Sequence, residues 1–197
     1  EGLPNALVTT VAIVLYKAAG ISNARIAAYT GLFYLPWVLK PLWSPVVEQL
    51  QTRRRWIWQT QFVLGAALAV LALTLPSSWF FYCSIVCFWL IAFCSATHDI
   101  AADGFYMHAL TEGQQSFFTG VRNTVYRLAS LLIKGQFILL VAALESRTES
   151  SRRAWMMAFL VISAVFVVLG AYHWFVLPRP AAERLGGLDV LINNAGV

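Results

Sequence analysis

Residues 56–75 form a run of twenty positions without a single Asp, Glu, Lys or Arg. A hydrocarbon layer about 30 Å thick demands that length of a helix rising 1.5 Å per residue. Inside lipid every backbone amide must be satisfied within its own segment, so such a run is helical. Pro76, Ser77 and Ser78 end it in a turn too short to do more than reverse the chain. Runs of comparable length follow at 79–102, 115–144 and 154–177, the last stopped by Pro178 and Pro180. An earlier run, 24–47, is interrupted by Pro36, Pro41 and Pro45, and a kinked helix is expected there. The first, 3–16, is short for a span, and no initiator Met or basic leader precedes it. The start therefore reads as a cut inside a first helix. Trp56, Trp58, Trp79, Trp155 and Trp174 lie near span ends, the depth that indole rings favour. The expected architecture is an all-α bundle of six spans over residues 1–180, the first truncated.

Composition excludes the soluble alternative. The chain is 59% hydrophobic and 12% charged, with a mean hydropathy of +0.68, where soluble domains carry about 25% charged residues. The net charge is +5, but the bases flank apolar runs instead of lining an aromatic groove, so no nucleic-acid partner is expected. Cys83, Cys87 and Cys94 share one apolar run, at spacings that favour neither a disulfide nor a metal site. Arg53, Arg54, Arg55, Arg179 and Arg184 would face one side of the membrane. Lys17, Arg25, Arg147, Arg152 and Arg153 would face the other, and that balance leaves orientation open.

Two stretches carry ionisable groups where they are costly. In the fourth run Asp99, Ala102, Asp103 and Tyr106 recur at helical spacing and share a face. Two carboxylates one turn apart suit proton uptake and release if they face a cavity, and are ordinary interface groups if the span ends near Asp99. His98 projects from a different face and is read as a structural hydrogen bonder. In the fifth run Asn123, Arg127, Ser130 and Lys134 trace a stripe flanked by Arg122 and Tyr126. The Asp pair and the Arg pair could meet between adjacent helices, either as architecture or as a substrate site, since an Arg fork holds a carboxylate or phosphate. Lys40 is expected to snorkel to the interface as an anchor. Asn5, Thr9 and Thr10 are expected to act as interhelix glue.

The stretch 40–56, KPLWSPVVEQLQTRRRW, resembles the loop between the second and third helices of major facilitator transporters, with Ser44, Glu48 and Arg53, Arg54 and Arg55 at the small, acidic and basic positions. Its lysine, LWSP core and arginine cluster resemble most closely the AmpG-like muropeptide permeases. Gly2-Leu3-Pro4 and Asp99-Ile100-x-x-Asp103 extend the likeness over most of 1–178. The resemblance implies the N-terminal half of a twelve-helix fold, partnered by a missing C-terminal six-helix half. It implies alternating access, proton-driven import of muropeptide or a similar polar solute, and a multi-pass location in the cell (inner) membrane with the Arg53 loop in the cytoplasm. Ser44, Glu48 and Arg53 to Arg55 would gate. Asp99, Asp103, Arg122, Asn123, Tyr126, Arg127 and Lys134 would line the proton and substrate path. Gln49 and Gln51 depart from the general loop pattern, which usually has a base and a glycine there. No cofactor is implied, and the chain is not read as an enzyme.

The tail at 181–197 is polar and unlike the rest. Residues 188–196, LDVLINNAG, resemble a strand end of short-chain dehydrogenases, but the glycine-rich turn and Tyr-x-x-x-Lys pair of that family do not occur. A membrane-anchored piece of such a fusion, and a non-transporting half-transporter scaffold, stand as the alternatives.

Overall fold

The computed structural model describes residues 2–109 and 112–178, with side chains described for 2–105 and 113–178. Arg179, Arg184 and the 181–197 tail lie outside the described residues, as does the Tyr106 side chain. The described chain is helical almost throughout, as the lipid solvent requires. Its helices are α1 (Gly2–Ala18), α2 (Asn23–Thr30), α3 (Leu35–Val38), α4 (Lys40–Leu50), α5 (Arg53–Thr74), α6 (Phe80–Ala109), α7 (Gly113–Thr148) and α8 (Ser151–Val176). Four of them, α5 to α8, are long and apolar enough to cross a membrane, and the chain is an all-α membrane protein.

The kinked helix expected over 24–47 is instead a succession of short pieces. A 3-10 turn, Gly31–Tyr34, joins α2 to α3, and α3 stops at Leu39 before α4 begins. Pro36, Pro41 and Pro45 each lack an amide hydrogen, so none can complete the α-helical ladder through this stretch.

Helix ends are set by local chemistry. Gly20 stands at φ 76° after α1, where Ile21 N–H reaches Tyr16 O at 3.0 Å and Gly20 N–H reaches Lys17 O at 3.0 Å. That closing pattern needs a left-handed residue, which glycine adopts without a Cβ clash. The hydroxyls of Thr52 and Ser150 accept from the amides of Arg55 and Arg153 and start α5 and α8.

The core is built mainly from α1, α5, α6 and α8, with Ile133, Phe137 and Val141 added by α7. Phe88 of α6 is its hub, with ring centroids 6.1 Å from Tyr16, 5.8 Å from Phe33 and 6.5 Å from Phe159. Helices α5 and α8 approach closely at Gly65, whose carbonyl accepts from the Ser163 hydroxyl at 2.7 Å. A Cβ there would lie 2.9 Å from Val167 Cγ2, so only glycine fits without displacement.

Helix α7 differs from the rest. Only 17% of its most apolar window is buried, against 50% for α5. Within it Ile133–Phe137 widens into a π turn, and a second π turn, Leu7–Val11, interrupts α1. The two pack against each other through buried Leu7, Val8, Val11, Ile133 and Phe137.

Candidate functional site

Asp99 lies on α6 with 7% of its surface exposed. A carboxylate that deep requires a counterion, and Lys40 at the start of α4 supplies it, with Nζ 2.8 Å from Oδ2. The snorkelling role expected for Lys40 is therefore corrected: its ammonium turns inward to the bundle because a buried acid on the neighbouring helix attracts it. Asp99 and Asp103 share a helix face but take different ion-pair partners. Asp103 pairs with Arg122 of α7, so one helix face sends its two acids to two different partners.

His98 also departs from expectation. Its Nε2 is buried and has no hydrogen-bond partner among the described residues. Thr9, expected to join helices, donates instead to its own helix at Asn5 O, 2.8 Å away.

The three arginines following α4 do different work. Arg53 lies 3.6 Å from Glu48 and lays its guanidinium across Gly104 of α6, where an added Cβ would collide with Arg53 Nε. Arg54 Nε donates to Leu177 O at 2.9 Å, and a second nitrogen donates to Trp174 O, so a cation satisfies the last carbonyls of α8. Arg55 is exposed. Ser44 is half-buried on α4. The first turn of α5 is thus tied to both α6 and α8.

On α7 the polar stripe faces outward. Asn123, Arg127 and Lys134 are exposed, and Arg127 and Lys134 have no ion-pair partner among the described residues. Lys134 stands inside the π turn, a rare geometry often found at functional positions. Tyr126 and Arg122 line a groove of about 300 Å³ that also includes Gly2 and Phe118. There α1 meets α7 so closely that a Cβ on Gly2 would lie 2.9 Å from Ser130 Oγ.

The structure therefore brings Asp103 and Arg122 together, and Glu48 and Arg53, but leaves Arg127 and Lys134 away from every described acid. Sequence reasoning missed the roles of Lys40 as counterion, Gly104 as the seat of Arg53, and the link between His173 Nδ1 and Gln61 Oε1 at 2.7 Å. A signal existed for Lys40, a base within an apolar run. Nothing local indicated the other two.

Residues 1–117 match the BT1 family. The chain is 30% identical over 147 residues to an uncharacterized protein of Haemophilus influenzae, covering 72% of this chain and 34% of that protein. It is 27% identical over 177 residues to the anhydromuropeptide permease of Escherichia coli K12, covering 86% of this chain and 34% of the permease. The chain spans about a third of the length of these curated relatives. No solved structure matches it.

Proposed function

This chain belongs to the BT1 family, and from that premise we propose that it forms the helical wall of a major-facilitator-type secondary transporter. The cargo is a muropeptide or similar polar solute, moved by alternating access and driven by protons. The observation that carries the reading is the exposed stripe on α7. Arg127 and Lys134 stand uncovered on a helix apolar enough to cross a membrane. A cation facing lipid at that depth costs about 3 kcal/mol or more, so such groups face protein or a water-filled cavity. Arg127, Asn123 and Lys134 would line that cavity, and a second six-helix half would form its opposite wall.

The Lys40–Asp99 pair gives the proton a place to act. When Asp99 takes up a proton its charge is lost, Lys40 keeps its own, and the tie between α4 and α6 weakens. That links protonation to the position of the short-pieced region. The contacts of Arg53 with Glu48 and Gly104 bridge the same two helices through the start of α5 and would gate in concert with it. The likeness to a permease supports the cargo class, since 86% of this chain aligns with it.

The test is Asp99→Asn in the full-length carrier. Proton-driven uptake of anhydromuropeptide should collapse while membrane insertion persists. Undiminished, still proton-dependent uptake would overturn the role given to Asp99.

A further inference from the structure

The buried polar side chains of the bundle are Thr60, Gln61, Ser84, Ser95, Asp99 and Ser163. Among the described residues, each of these but Ser95 has a hydrogen-bond partner in the protein. Thr60 donates to Trp56 O, Ser84 to Phe81 O and Ser163 to Gly65 O. Gln61 meets His173, and Asp99 meets Lys40. Ser95 is 1% exposed, yet its hydroxyl has no partner among the described residues. Even Thr97, two positions on and half-buried, turns its hydroxyl back onto Phe93 O. One turn beyond Ser95, the buried Nε2 of His98 is likewise unpaired.

These two orphans are neighbours. Ser95 precedes His98 by three positions and Asp99 by four, so on the helical surface it lies between them, with Cβ separations of about 5–6 Å. Two hydrogen bonds of about 2.8 Å through one water span such a gap. Buried polar atoms without protein partners are the ordinary seats of internal water, which makes about three hydrogen bonds where it sits.

We propose that Ser95 and His98 hold a buried water next to the Lys40–Asp99 pair, and that this water carries protons to and from Asp99. The second clause rests on the transport reading above; the first does not. Ser95 Oγ and His98 Nε2 supply two of the water's contacts, and the carboxyl group of Asp99 is within reach of a third. A proton arriving on the water passes to the Asp99 carboxylate, which leaves the water neutral and Lys40 still an ammonium. Charged and titratable side chains whose field reaches His98 include Lys40 from α4 and His173 from α8. His173 is already held by Gln61 of α5. His98 is thus the histidine of this cluster left to bind water.

The test is solid-state nuclear magnetic resonance of the intact chain in lipid bilayers, with its three histidines labelled with nitrogen-15. His98→Gln assigns the His98 signals by their loss. Magnetisation should pass from water to His98 Nε2, and Ser95→Ala should largely abolish that transfer while leaving the His173 signals in place as a check on folding. No transfer in the unaltered chain, or transfer unchanged by Ser95→Ala, would overturn the shared water site. In the full-length carrier Ser95→Ala and His98→Gln should each slow proton-driven uptake about tenfold or more. Normal uptake in both variants would overturn the proton-carrying role. Uptake that needs no proton gradient in the unaltered carrier would instead overturn the transport reading, and the resonance result would still decide the water site.

Discussion

Helices α5 and α7 are both long and apolar enough to cross a membrane, yet they are built for opposite neighbours. Helix α5 buries half of its most apolar window, against α6 and α8, and meets α8 through Gly65 at a distance only a glycine allows. Helix α7 buries 17% of its window and carries Asn123, Arg127 and Lys134 outward. Its ladder is also broken by a π turn where it touches α1. The contrast teaches that apolar length identifies a span but not its role. Small residues and close helix contacts mark the packed side of the bundle, while α7 combines exposed cations with an irregular backbone.

Changes in the packed wall should cost stability, and changes on α7 should cost transport. Phe88→Ala removes the ring at the hub of the core and should destabilise the bundle by about 3–5 kcal/mol, read by denaturant titration in detergent. Gly65→Leu forces α5 from α8 and should cost about 1–3 kcal/mol in the same titration, with loss of the Ser163 contact. Arg127→Ala should leave the titration midpoint within error, while full-length uptake of an anionic solute falls roughly 10- to 100-fold, the worth of a hydrogen bond to a charged group. An equal loss of folding would break the comparison, because Arg127 would then belong to the wall. Leu131→Ala, at a position 67% exposed on α7, should change stability by no more than about 0.5 kcal/mol. A larger effect would mean that a partner covers this face in the measured sample.

Much of the candidate site was legible because charge in an apolar run is conspicuous. Asp99, Asp103, Arg122, Arg127 and Lys134 stand out by composition alone, and the meeting of an acid on α6 with an arginine on α7 came from helix order and spacing. Lys40 was misjudged for a physical reason. Snorkelling is the cheapest outcome for an isolated lysine, and its actual partner is 59 positions away. Gly104 was invisible, since no local rule says that an arginine from another helix will lie on it. The short pieces over 24–47 were half legible: three prolines announce a break, but not how many segments result.

By itself the sequence determined that this chain lives in lipid as helices, because a membrane leaves the backbone no other way to satisfy its amides, and run length and proline positions then place the segments. Tertiary structure decided which ionisable groups pair, which helix stands open, and where Ser95 Oγ and His98 Nε2 fall without partners among the described residues. Those outcomes depend on distances between residues remote in the chain, and only the packed bundle sets them.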